Sequence, residues 1–215
     1  MNKDYSKYKD VNIIDSSFTY IDEDVVIGKG TIIYPGTFLE KGTVIGENCV
    51  IGPQARIINS TIKNSVTVES SKVIDSYIDD DTTVGPFAYL RPGTKLGKNV
   101  KIGDFVEVKN SVIDDGSKAS HLAYIGDGEV GKNVNIGCGV IFVNYDGKNK
   151  FKTIVGDNAF IGSNSNLVAP VTVEEGGFVA AGSTINRDVE KDSLAIARAR
   201  QENKPNLGKG RYGKK

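Results

Sequence analysis

An aliphatic residue returns at every sixth position through most of this chain. The run Ile27, Ile33, Leu39, Ile45, Ile51, Ile57 is followed by Val84, Leu90, Leu96, Ile102, Val108, and later by Val155, Ile161, Leu167, Val173, Val179, Ile185. A period of six matches neither the 3.6 of an α-helix nor a bare alternation of two. It fits a hexapeptide β-helix, in which each hexad is one short strand plus a corner and three hexads close an 18-residue coil of triangular section. One aliphatic side chain per hexad points into a narrow core, and small residues take the bends. Glycine, 25 of 215 residues, often follows the inward position, as after Ile27, Ile45, Ile51, Ile102, Ile136 and Ile161. Residues 25–187 then supply about nine coils. A β-sandwich is the competing architecture, and seventeen matches in three strict runs weigh against it.

The departures from six are as informative as the rule. Between Ile57 and Val84 the inward series runs Ile62, Val68, Val73, Ile78; after Val108 it runs Ile113, Ala119, Ile125, Val130, Ile136, Phe142. Several of these steps are five. From Phe142 to Val155 the step is 13, so the stretch NYDGKNKFKT must leave the coil as an ejected loop. Loops thrown out from a regular scaffold are where function concentrates. Residues 11–189 read as the β-helix, 1–10 as a flexible lead-in, and 190–215 as a C-terminal segment and basic tail.

Residues one coil apart lie above one another, about 4.8 Å along the axis. Arg91 and Lys109 each follow an inward residue and are 18 apart, so they stack on one edge. Two cations at that spacing repel unless they splay into water or share an anion. A phosphate is such an anion, since Arg grips it bidentately and Lys serves as a point charge. By the same count Tyr124 lies above Glu107, and Cys138 stacks near His121, the sole histidine. The reading therefore expects His121 to face a cleft, re-aimed by a slip in the repeat. The ejected loop, with Asn144, Tyr145 and Lys150, starts just above.

Composition excludes more than it suggests. Lys plus Arg and Asp plus Glu are both 27, which gives no reason to expect nucleic acid or an anionic membrane as partner. No apolar run approaches the ~18 residues of a membrane span, and the start MNKDYSKYKD lacks a signal-peptide core. Two cysteines 89 positions apart suit neither a metal spacing nor a disulfide framework. A cytoplasmic protein is the resulting expectation.

The stretches RPGTKLG, VEVKNS, SHLAYIGD, NVNIGCG, NYDGKNKFKT, IGSNSNLVAP and AIARARQ, spread over residues 11–201, resemble one family. It is the acetyltransferase domain of the bacterial bifunctional N-acetylglucosamine-1-phosphate uridylyltransferase / glucosamine-1-phosphate N-acetyltransferase. The resemblance implies a left-handed β-helix, a homotrimer, and transfer of acetyl from acetyl-CoA to the amine of glucosamine 1-phosphate, on the route to UDP-N-acetylglucosamine and the cell wall. It implies His121 as general base, with Glu107 orienting it. Arg91, Lys109 and Lys150 would hold the sugar phosphate, with Tyr124 and Asn135 placing the sugar. Asn144, Tyr145, Ser163, Ala181 and Arg198 would line the acetyl-CoA site, with Cys138 beside them.

Imidazole titrates near working pH and suits removal of the amine proton. Main-chain N–H groups near Cys138 and the Ser163 hydroxyl are candidates to hold the oxyanion. No metal is expected, because one histidine per chain cannot supply the usual three ligands of a zinc site. The uridylyltransferase motifs are not matched, so uridylyl transfer would need a separate polypeptide. Cys138 stands where the family usually has alanine, which raises a rival acyl-cysteine mechanism. Two other functions stay open at this point: an acyltransferase for a different amino sugar or nucleotide sugar, and a non-catalytic subunit of a nucleotidyltransferase.

Overall fold

The computed structural model describes residues 5–208. Every named strand pairs in parallel with the strand one coil away, so the chain winds into a prism. Three columns of inward residues form its core. The first face carries Ile33, Ile51, Val68, Val84, Ile102, Ala119, Ile136, Ile161 and Val179. The second carries Leu39, Ile57, Val73, Leu90, Val108, Ile125, Phe142, Leu167 and Ile185. The third runs from Ile27 through Ile45, Ile62, Ile78, Leu96, Ile113, Val130 and Val155 to Val173. All are buried except Ile27, which is half-buried beside the first coil. The third face is a sheet of nine strands, one per coil, in agreement with the count from the repeat.

A second buried column was not visible in the aliphatic period. The last corner residue before each strand is small and buried: Thr31, Thr37, Thr43, Cys49, Ala55, Ser60, and so on to Ser183. Their hydroxyls bond main-chain groups of the neighbouring coil. Ser117 Oγ, for example, donates to the Gly131 carbonyl (2.6 Å) and accepts from the Val134 N–H (2.9 Å). Burial of a hydroxyl is tolerated where it finds such a partner; Thr37 and Thr153 are the two in this series whose hydroxyls have none among the described residues.

The five-residue steps have one common structure. An ordinary corner places a left-handed residue three positions after the inward one, as Asn48 (φ 55°) follows Ile45. In the short corners the left-handed residue comes one position sooner: Asn59, Ser70, Asp75, Asn110 and Asp127, with φ between 41° and 52°. Asn and Asp tolerate this conformation better than other residues with a Cβ. The step from Ala119 to Ile125 is an ordinary six, so no slip occurs at His121 itself; the short corners flank it at Asn110 and Asp127.

Two strands depart from the short pattern. Lys101–Lys109 and Lys118–Gly126 each run nine residues, through the corner between the first and second faces. They pair from Lys101↔Lys118 to Lys109↔Gly126 and merge the two faces into one 19-stranded sheet. Phe142, the one aromatic among the largest fully buried side chains, sits one coil above Ile125. Its ring fills the space left by Gly128, where a Cβ would stand 2.8 Å from Phe142 Cε2.

The chain ends differ from the expected boundaries. Within residues 5–10 two tyrosines anchor the chain on the first coil. Tyr8 is buried and donates to the Val25 carbonyl (2.8 Å), and Tyr5 donates to the Thr19 carbonyl (2.8 Å), so the segment covers the first coil. The β-helix also continues past 189, since Leu194–Ala195 pairs with Phe178–Val179. Residues 198–208 follow it, exposed and outside any strand. The lead-in at 1–4 and the basic tail at 209–215 lie outside the described residues. Among the described residues no helix is long and apolar enough to cross a membrane.

Candidate active site

The expected site residues separate into two edge columns with one face between them. The first column follows from the register Ile102↔Ala119↔Ile136↔Ile161↔Val179↔Ala195. Two residues further along each coil stand Asp104, His121, Cys138, Ser163, Ala181 and Ala197. This position points outward because the flanking residues of each hexad take the core. The column is tied by main-chain bonds from Gly139 N to Leu122 O, Asn164 N to Cys138 O and Gly182 N to Ser163 O, at 2.6 to 2.8 Å. Arg198 comes next to the top of it, with its Cδ 4.0 Å from where a Gly182 Cβ would be.

His121 is exposed, with 64% of its side chain accessible, so on a single chain it faces solvent and not a cleft. Its Nδ1 lies 2.7 Å from Asp104 Oδ1 on the coil below. The hydrogen bond from His121 holds the Asp104 carboxyl below its usual range. Glu107, expected to orient the imidazole, does something else: it accepts from Arg91 NH1 at 2.7 Å. The register explains the exchange. Asp104 is directly opposite His121, whereas Glu107 is opposite Tyr124 and Tyr89 on the next face. Counting 17 residues back from His121 leads to Asp104, and that count would have found it.

The second column holds Arg91, Lys109, Asp127, Asn144 and the ejected loop. Arg91 stacks one coil below Lys109 as expected, its N–H bonded to the Val108 carbonyl (2.8 Å). Lys109 Nζ is 4.0 Å from Asp127 Oδ2. Asn110 Nδ2 donates to the Asp127 carboxylate from below (2.6 Å), and Asn144 Nδ2 donates from above. Burial pushes the Asp127 carboxyl up, but these two amides, with Lys109 and Lys150, outweigh it and hold it low. The loop turns on Asp146, which accepts from the N–H groups of Lys148 and Asn149, and returns by a bridge between Tyr145 and Lys150. Lys150 thereby lies beside Lys109, and the neighbouring ammonium pushes the Lys150 pKa down.

Tyr124 and Glu107 occupy the face between the columns. Gly126 makes room for the phenol: a Cβ there would overlap the Tyr124 hydroxyl and stand 2.8 Å from Asn144 Nδ2. Asn135 is not on this face. It pairs with Lys118 and Phe160 on the first face, across the edge from Tyr124. Asn144 and Tyr145 are likewise separated in the chain from Cys138, Ser163 and Ala181, since they sit with the lysines. Both cysteines are free; Cys49 is buried and Cys138 exposed. Among the described residues no cluster of three or more His, Cys, Asp or Glu side chains is placed to hold a metal ion.

A parallel triangular β-helix with an imidazole on one edge and a basic loop thrown from another defines a transferase of the hexapeptide-repeat class. Residues 24–59, 75–110 and 152–187 match the family described as bacterial transferase hexapeptide (six repeats), just over half the chain, and the chain belongs to that family.

It is 65% identical over 191 residues to the Bifunctional protein GlmU of Clostridioides difficile (strain 630). It is 59% identical over 194 residues to that of Alkaliphilus metalliredigens (strain QYMF). These matches take in 89% and 90% of this chain but 42% of each relative, so the chain spans less than half their length. Among solved structures, a UDP-N-acetylglucosamine acyltransferase from Campylobacter jejuni shares the fold. Its TM-score is 0.52 and its identity 20%, over 86% of this chain and 71% of that one.

Proposed function

We propose that the chain is an acetyl-CoA-dependent N-acetyltransferase acting on glucosamine 1-phosphate, the activity implied by its likeness to the proteins named GlmU. One observation carries the reading: a single prism face is bounded by an exposed imidazole on one edge and by paired ammonium groups on the other. Along the strand His121 and the Lys109 level are five residues apart. At about 3.3 Å per residue, less across the corner, that is on the order of 10–15 Å. Long basic side chains leaning inward, as Arg91 does to reach Glu107, shorten the gap to the length of a sugar phosphate.

In this reading Lys109, Lys150 and Arg91 hold the phosphate, and Tyr124 packs on the sugar. The 2-amino group attacks the thioester carbonyl of acetyl-CoA while His121 Nε2 takes its proton. The C–N bond forms, the tetrahedral oxyanion collapses, the C–S bond breaks, and the proton goes to the departing thiolate. A positioned base of this kind contributes roughly 10²–10⁴ in rate. The edge column from His121 through Cys138, Ser163 and Ala181 to Arg198 rises four coils, on the order of 19 Å. That is a suitable rail for an extended pantetheine arm, with a cation at the far end for the nucleotide phosphates.

The open surface at His121 is completed, in this reading, by a second copy of the chain within a trimer. Phe87, Phe105 and Leu122, all 57–60% exposed, project from the same edge and support this reading, in which Asn135, Asn144 and Tyr145 serve the site of a neighbouring copy. Sedimentation equilibrium tests this point: three chains are expected, and a stable monomer removes it.

The experiment for the activity follows free thiol with acetyl-CoA and a panel of acceptors: glucosamine 1-phosphate, glucosamine 6-phosphate, free glucosamine and a nucleotide-linked amino sugar. Release that is fastest with glucosamine 1-phosphate is expected. Preference for the nucleotide-linked acceptor would move the assignment to a nucleotide sugar. No release with any acceptor would leave a non-catalytic subunit.

A further inference from the structure

We infer that Asp104 is the residue that positions His121, fixing the imidazole with its proton on Nδ1 and its lone pair on Nε2. The inference rests on the reading of His121 as the base, and it transfers the orienting role from Glu107 to a different carboxylate. The geometry is specific. Asp104 lies directly below His121 in a ladder paired without interruption on both sides, Lys101↔Lys118 and Ile102↔Ala119 before it, Val106↔Ala123 and Glu107↔Tyr124 after it. Neither residue can slide relative to the other without moving two nine-residue strands. An ionised carboxylate only accepts hydrogen bonds, so the 2.7 Å contact requires the proton on Nδ1. The base is then Nε2, on the far side of the ring from the carboxylate.

The backbone around the pair supports a placed arrangement. Phe105 and Leu122, the residues immediately after Asp104 and His121, adopt φ of 57° and 35°. These are the ordinary corner positions, three after Ile102 and Ala119, and a left-handed residue turns most corners of the coil. Here it turns both corners alike, so that Asp104 and His121 project in parallel. The other charged groups around the ring are otherwise engaged or directed. Glu107 is held by Arg91, Lys101 and Lys118 lie on the first face, and Cys138 lies on the coil above. An exposed ion pair by itself contributes little to stability, so the arrangement is better explained by what it does to the imidazole.

The single histidine makes the test direct. The full chain, labelled with ¹⁵N-histidine, gives one imidazole, whose ¹⁵N shifts report which nitrogen carries the proton without any substrate. The wild type is expected to show the Nδ1–H form in its neutral state. Asp104→Ala is expected to shift the population to the Nε2–H form that a free imidazole favours, and Asp104→Asn to give a mixture. In acetyl transfer Asp104→Ala should lower kcat about tenfold, part of what a positioned base contributes, with KM changed less than about twofold.

Glu107→Gln should leave the tautomer unchanged. A wild type in the Nε2–H form, or an Asp104→Ala variant with unaltered tautomer or unaltered kcat, overturns the inference. If the wild type transfers acetyl to no acceptor, it is the functional assignment that fails. The tautomer comparison then decides the positioning role alone.

Discussion

The Lys150 ammonium stands beside that of Lys109, brought there by a loop that leaves the coil after Val143 and re-enters at Thr153. Two like charges at that range favour whatever anion separates them. The proximity of Lys109 lowers the Lys150 pKa, so Lys150 loses its proton at a lower pH than an ordinary lysine. A bound phosphate favours the charged form and reverses this. KM for the sugar phosphate should therefore rise with pH, starting below the usual lysine range. Lys109→Ala removes the repulsion and should move that rise to higher pH. Lys150→Ala should raise KM about tenfold, the scale of a lost charge-assisted hydrogen bond. A pH-independent KM in the wild type up to about pH 10 would contradict the account.

Gly126 faces the tip of a flexible ring, and Gly126→Ala must displace the Tyr124 phenol. Because the ring can swing outward, thermal melting should change by only a few degrees, while KM for the sugar rises. If KM stays at the wild-type value, Tyr124 does not contact the acceptor.

Phe142 and Gly128 form a size-matched pair in the core. Phe142→Ala should cost about 3–5 kcal/mol in urea denaturation. Gly128→Ala should cost about 1–3 kcal/mol by overpacking, and less when Phe142 is already leucine. Such non-additivity is the mark of a direct contact. Additive losses would show that the ring relaxes elsewhere.

Cys138 is exposed on the His121 column, whereas Cys49 is buried, and burial pushes the Cys49 thiol pKa up. A thiol reagent should modify one equivalent per native chain, at Cys138. Direct attack of the amine on the thioester predicts that Cys138→Ala keeps most of the activity. Loss of turnover with a trapped acyl-cysteine in the wild type would establish the rival two-step route.

Much of this architecture was legible in the residues. The aliphatic period places the three main inward columns but not the buried corner residues such as Val66, Val100 and Val134, and the stacking of Arg91 with Lys109 and of Tyr124 with Glu107 follows from arithmetic. The hydroxyl column through Thr31 and Ser117 was not legible, because its hydroxyls are buried against main-chain partners that only the wound coil supplies. Asp104 was missed for a different reason. The resemblance implies Glu107 as the orienting carboxylate, whereas the contact of Asp104 with His121 follows only from the 17-residue coil that sets the two opposite one another. The packing of Tyr8 over the first coil was hidden by its polar neighbours Lys7 and Lys9.

The account stands on one substrate reaching both edges of the same face, and the lone imidazole can report it. The His121 ring resonance should shift on addition of glucosamine 1-phosphate, and the shift should vanish in the Lys109→Ala/Lys150→Ala variant at the same sugar concentration. Saturable binding of the sugar phosphate by calorimetry with the His121 signal unmoved would contradict it.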